Sequence, residues 1–422
     1  MATKYVSKLG TDTGNTGPFL TIQYGVNQLE SGDTLIVEDG IYREKIVVSK
    51  NNVVIKSKNL HGAEITGVWS DTGAMPDYDS ALANGEYSQL VTLSPGYSNI
   101  VFDGFKVKNS SARGLLVSSA NTVVKNCYIY MCFNTGCIVW ATGANKVLNT
   151  TIKNCEISYC AMRYWTRYQK RNTKDGTYII NWPPPLFCKG SSDVVLEHNI
   201  VHDNGGEGIG FHACTRTTVR GNISYNNAIY QCYVDWAGTD SVIANNIFYT
   251  HSGFHGNSGS KLPTGLAFHD EHGGGENNQI DGHTRNLACY NNLIVNCESG
   301  ISIFGKASLK DSIITNNTIV NCKSGMAVYS FSGAAGWEWT NTQIINNVVL
   351  AASNTGPANL LGLTFDNNAF SASASTLDGP NDVTITSADL VAAYAPITPE
   401  HFSPNNYKLT ASSSCINTGT AI

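Results

Sequence analysis

Seven short segments alternate apolar residues with others at a period of two: GCIVWATG from 136, PLFCKGSS from 185, GIGFHACT from 208, QCYVDWAG from 231, GLAFHDEH from 265, GISIFGKA from 300 and GMAVYSFS from 325. Aligned, one set of positions is apolar throughout: Cys137/Val139, Leu186/Cys188, Ile209/Phe211, Cys232/Val234, Leu266/Phe268, Ile301/Ile303 and Met326/Val328. Strand side chains alternate between faces, so these positions predict an inner face and the intervening residues an outer one. Between the segments runs a second recurring phrase, Asn followed by β-formers: KNCYI at 125, KNCEI at 153, HNIVH at 198, GNISY at 221, NNIFY at 245, NNLIV at 291, NNTIV at 316 and NNVVL at 346. Asn199 to Asn222 is 23 residues, Asn222 to Asn246 is 24 and Asn292 to Asn317 is 25. A repeat of this length, with short strands, Asn and Gly at turns and no helix-period segments, predicts a parallel β-helix whose coils hydrogen-bond about 4.8 Å apart. A leucine-rich solenoid is disfavoured because its LxxLxLxxN pattern is absent.

The first residues differ from the repeat. Pro18 at a helix start, Phe19, Ile22, Val26 and Leu29 at helical spacing and Gly32 as a stop predict an amphipathic helix that caps the first coil, which otherwise exposes core and strand edge. TSADLVAAY near 386 to 394 reads as a short helix and YKLTA as a last strand, closing the other end. The opening YVSKLGTDTGNTGPFLTIQYGVNQLESGDTLIVEDGIYREKIVV and the closing NYKLTASSSCINTGTAI resemble the first and last segments of the right-handed parallel β-helix proteins of the pectate-lyase-like superfamily. The resemblance implies an all-β, single-stranded right-handed parallel β-helix with an N-terminal capping helix and long loop insertions. It would occupy residues 1–422 as one domain: cap and first strands in 1–45, coils in 46–370 with insertions at 161–185, 250–264 and 272–286, and a C-terminal cap and last coil in 371–422.

Composition narrows the function classes. Lys and Arg number 27 against 32 Asp and Glu, a net charge of −5, which argues against a nucleic-acid partner. Charged residues are only 14 %, but 14 Phe, 7 Trp and 20 Tyr supply the apolar surface a folded chain needs. No stretch approaches the roughly 20 apolar residues of a membrane span, so no membrane partner is expected. The opening MATKYVSKLG lacks the apolar core of a signal peptide, so the expectation is a protein secreted through a leader absent from this sequence, or one associated with a virus. The 12 Cys contain no zinc-type CxxC pair and read as stacked, buried thiols. Oligomeric state is open.

The outer positions of the seven segments form a column: Trp140, Lys189, His212, Asp235, His269, Phe304 and Tyr329. Four successive coils put ionisable groups there, and Lys189 to His269 would span three coil spacings, roughly 14 Å. Tyr233 stands two residues before Asp235; Glu271 and Lys306 stand two residues beyond His269 and Phe304. Such a row, flanked by aromatics, is an expected active-site groove, with Lys189, His212, Asp235 and His269 as catalytic candidates. The insertion before Lys189 interleaves Arg163, Arg167, Lys170, Arg171 and Lys174 with Tyr164, Trp165 and Tyr168. Aromatic faces suit sugar rings and Arg forks suit carboxylates, so Arg163, Trp165 and Arg167 join Trp140, Tyr233, Glu271, Lys306 and Tyr329 as substrate-binding candidates. The insertion after His269 holds Asp270, Glu271, His272, Glu276, Asp281 and His283; Asp270 and Glu271 with Asp235 are candidate ligands for Ca2+, although no spacing rule is met.

What the resemblance implies is a carbohydrate-active enzyme that cleaves an anionic, uronic-acid-containing polysaccharide by β-elimination. A base takes the proton beside the carboxyl group, for which Lys189 and His212 are candidates; Arg163 or Arg167 would neutralise the carboxylate, and His269 or Tyr233 would donate a proton. Two alternatives remain open from the residues. Asp235 with Asp270 or Glu271 would suit a glycoside hydrolase, whose two carboxyl groups stand about 5 to 9.5 Å apart. A non-catalytic viral tail or surface carbohydrate-binding protein would use the same solenoid without the chemistry.

Overall fold

The computed structural model describes residues 1–67, 89–140, 147–161, 183–235, 238–254, 262–270, 284–305, 309–329, 339–356, 362–371, 377–393, 395, 397–398 and 402–416. They fall into two compact units, Met1–Gly206 and Glu207–Ile422; each is a stack of coils with three long parallel sheets, and the second also has a two-stranded one, Thr284–Arg285 with Leu309–Lys310. One coil of the second unit runs through Val242–Ala244 in the first sheet, Ile247–Tyr249 in the third and Thr264–Asp270 in the second; the next repeats this as Ala288–Tyr290, Leu293–Val295 and Ser299–Gly305. Their registers are Val242↔Ala288, Ile247↔Leu293 and Leu266↔Ile301, all parallel. In the first unit Val123–Lys125, Tyr128–Tyr130 and Cys137–Trp140 make the corresponding coil. Among the described residues no helix is long and apolar enough to cross a membrane.

The apolar alternation is the core. All fourteen inner positions, from Cys137 and Val139 to Met326 and Val328, are buried. The glycine that opens several second-sheet segments marks a corner: a Cβ on Gly265 would stand 2.3 Å from Ile294 Cγ2 and 2.7 Å from the Gly300 carbonyl oxygen. Eleven of the twelve cysteines are buried, and burial raises the thiol pKa of Cys137, Cys232 and Cys289.

The recurring Asn, expected at turns, divides into two roles. In each pair the first residue turns the corner with positive φ (Asn245 58°, Asn291 54°, Asn316 56°, Asn346 59°), a conformation Asn tolerates better than most side chains. The second is interior. Asn222, Asn246, Asn292, Asn317, Asn347 and Asn368 form a ladder in which each Nδ2 donates to the next Oδ1 at 2.9–3.0 Å. Each Oδ1 also accepts the backbone N–H of the preceding member, as Asn317 Oδ1 does from Asn292 N at 3.0 Å. A polar residue is tolerated in the core because its donors and acceptor are satisfied coil to coil.

The expected capping helix is present and short. It spans Ile22–Asn27, with Thr21 as N-cap. Glu44 Oε1 and Oε2 accept from Ile22 N and Gln23 N, each at 2.9 Å, satisfying two N-terminal donors. Phe19, Ile22, Val26 and Leu29 are all buried, as a cap requires.

The C-terminal segment departs from expectation. In place of a helix over 386–394 there is a single 3-10 turn, Ser387–Asp389, and Leu409 makes only an antiparallel bridge to Leu390. The tail does not simply close a last coil. Ile385, Leu390, Ala393, Ile397 and Tyr407 pack on Tyr249, Val295, Val320 and Leu350, the outward positions of the third sheet in the second unit. Phe402 stacks on Tyr249 at 4.0 Å, and Ser252 N donates to Ile397 O at 3.0 Å. The tail is a strap because those outward positions are apolar.

Candidate active site

Alternation and register build the site on the outer face of the second sheet in the Glu207–Ile422 unit. Ile209–His212 pairs with Tyr230–Asp235 so that Phe211 meets Val234 inside and His212 meets Asp235 outside. Tyr230–Asp235 pairs in turn with Thr264–Asp270, Val234 against Phe268, which brings the next residues, Asp235 and His269, side by side. Tyr233 Oη lies 2.8 Å from His269 Nδ1. The His212 ring meets the Tyr233 ring edge-on, centroids 5.5 Å apart at 76°. On the same strand, Tyr230 lies flat against Tyr233 at 4.7 Å and 5°. Two imidazoles, a phenol and a carboxylate thus converge, with a second phenol as backing.

The site is enclosed: Asp235 is 3 % exposed, His269 7 % and Tyr233 3 %, while His212 and Tyr230 are half-buried. The side chains point outward from the strands, but strand alternation alone does not report what covers an outer face. In such an enclosed place charges act through a lower effective dielectric than in water, which strengthens proton-transfer partners already in hydrogen-bond contact.

Residues 88–248 match the family described as right handed beta helix region. The chain has the right-handed parallel β-helix fold. Solved structures share the fold: XylC in complex with xylose (TM-score 0.56, 12 % identity, 90 % of this chain and 86 % of that one), a mutant of the PL6 family alginate lyase AlyGC (0.54, 12 %, 93 % and 56 %) and a tailspike protein mutant of E. coli bacteriophage HK620 in complex with a pentasaccharide (0.54, 10 %, 84 % and 60 %). At these identities the likeness concerns the parallel β-helix fold alone. A search of curated proteins by sequence found no match.

The other expected site residues distribute as follows along the β-helix. Lys189 is half-buried in the Met1–Gly206 unit, in register with Trp140, and the Trp140 ring lies 5.2 Å from the Arg113 guanidinium carbon. Tyr329 is 44 % exposed. Asp270 ends its strand in register with Gly305. Arg163, Trp165, Arg167, Glu271 and Lys306 lie outside the described residues. Among the described residues no group of three or more His, Cys, Asp or Glu is placed to hold a metal ion. Sequence reading missed Tyr230 because strict alternation puts it on the same face as Cys232. Gln231 breaks that phase: it is buried, with Oε1 accepting from Asn227 Nδ2 at 2.8 Å and its carbonyl from Ser224 Oγ at 2.7 Å, which turns Tyr230 outward. The Ser224/Asn227/Gln231 spacing was the available signal.

Proposed function

We propose that this β-helix protein is a polysaccharide lyase that cleaves a uronic-acid-containing chain by β-elimination. The observation that carries the reading is the enclosed Tyr233–His269 hydrogen bond with His212 against the same phenol. His212 takes the proton from the carbon beside the substrate carboxyl group, the bond from the next carbon to the glycosidic oxygen breaks, a C=C bond forms, and Tyr233 delivers its proton to the leaving oxygen while His269 stabilises the phenolate and returns a proton from solvent. Asp235, beside His212, stabilises the imidazolium formed. Lys189 is the competing base, and Arg163 and Arg167 are the proposed carboxylate clamp. Support comes from the xylose, the pentasaccharide and the alginate lyase named for proteins of the same fold.

The test is incubation with a panel of uronic-acid polymers, with and without added calcium, following ultraviolet absorbance of the unsaturated product and, separately, reducing ends. Absorbance rising with reducing ends is expected. Reducing ends without absorbance would overturn the lyase in favour of a hydrolase, and polymer binding without either product would favour a carbohydrate-binding tail protein.

A further inference from the structure

The Tyr233 ring has one flat ring contact, with Tyr230, and edge contacts with His212 and His269. Tyr230 covers one face in parallel at 4.7 Å and also meets His269 edge-on at 6.4 Å, while His212 approaches at 76°. Rings three residues apart on an ideal strand point to opposite faces and cannot stack. Here they do because Gln231 is held inward by Asn227 and Ser224, with Asn227 N also donating to Gln231 Oε1 at 3.2 Å. Tyr230 itself is half-buried, and its backbone is fixed by parallel pairing with Thr264. The chain therefore breaks its own alternation at one point, and the result of the break is a ring laid flat on the phenol that meets His269.

We infer that Tyr230 is a positioning residue, which holds the Tyr233 phenol in the rotamer that reaches His269, and that Gln231 is the anchor which sets Tyr230 in place. This rests on the reading of Tyr233 as proton donor. A phenol that must present one oxygen both to an imidazole and to a leaving group has two torsions to fix, and misplacement of a reacting group by about 1 Å can cost on the order of 100-fold in rate. The contact uses the Tyr230 ring face, which a Phe side chain would keep.

The crystal structure of Tyr230→Leu tests this without a substrate. Tyr233 Oη should leave His269 Nδ1, with their separation exceeding about 3.5 Å, the outer limit of a hydrogen bond; persistence of the 2.8 Å contact overturns the inference. Kinetics on a polymer cleaved in the panel give the second measurement. Tyr230→Leu should lower kcat by about tenfold or more while KM stays within about twofold, the pattern of a lost transition-state interaction. Tyr230→Phe should restore both. Should Tyr230→Leu melt too early to crystallise, Tyr230→His, which keeps a flat ring, decides: a retained Tyr233–His269 contact supports the inference and a broken one overturns it. Failure of the underlying reading looks different, since Tyr233→Phe would then keep full activity whatever Tyr230 does.

Discussion

His212 and Asp235 face each other across one parallel strand pair, and general acid or base groups contribute at least about 100-fold to turnover. His212→Ala and Asp235→Asn are each expected to lose about that factor in kcat. Folding of His212→Ala, checked by circular dichroism, should be preserved because its side chain is outside the core. Lys189→Ala, assayed alongside, separates the two candidate bases: the true base is the one whose loss removes the alkaline-favoured limb of the pH profile. A second residue-scale prediction concerns His202. Burial opposes its protonation, but Asp203 Oδ2 at 2.7 Å from Nδ1 and Glu156 Oε1 at 3.3 Å from Nε2 outweigh burial, and its pKa is raised above the ordinary 6.5. A raised folded pKa means the charged form is favoured by folding, so the stabilisation is fully present below about pH 6.5 and is lost as pH rises through the folded value. Melting temperatures of the wild type and His202→Gln across that range should converge toward alkaline pH; a difference that stays constant would show that the ion pairs contribute nothing through ionisation.

At the scale of the element, the asparagine ladder is the most exacting feature. Asn292 Nδ2 donates to Ile243 O at 3.0 Å and to Asn317 Oδ1 at 2.9 Å, while its Oδ1 accepts from Asn246 N and Nδ2. Asn292→Ala leaves these buried partners without it, and an unsatisfied buried group costs about 1–3 kcal/mol. With more than one group orphaned, chemical denaturation should show a loss of about 3 kcal/mol or more. Asn291→Ala touches only the corner, where an L-residue other than Asn meets strain at φ 54°, and is expected to cost about 1 kcal/mol. If the two variants were equally stable, the ladder would hold no special place in the fold.

On the scale of the whole molecule, the C-terminal strap decides which surface of residues 207–422 meets water. Removing 386–422 uncovers Tyr249, Val295, Val320 and Leu350, and burial of side chains of this size is worth about 1.5–3 kcal/mol each. The truncated chain should melt several degrees lower and bind a hydrophobic dye; unchanged melting and no dye binding would show that the strap is dispensable. Ser252, bonded to Ile397, lies in the connection that leads into the site strand Thr264–Asp270, so loss of the strap is also expected to lower activity.

What the sequence determined by itself is the coil. Period-two alternation from Cys137 to Val328 fixes which residues are inside, and the Asn spacing of 23 to 25 fixes the repeat, because both follow from backbone geometry that every coil shares. The same alternation placed His212, Asp235 and His269 on one outer column. Tertiary structure decided what alternation cannot express. The enclosure of Asp235 and His269 is not written in the alternation, and the inward role of the second Asn in each pair and the strap over Tyr249 depend on contacts between distant segments. The pairing of Tyr230 with Tyr233 depends on Gln231, whose side-chain amide is satisfied by Asn227 while Ser224 Oγ donates to its backbone carbonyl, bonds made only when the corner closes. A local period reports the face a side chain takes in an ideal strand; a buried amide that needs its hydrogen bonds can override it, and only the folded chain supplies those bonds.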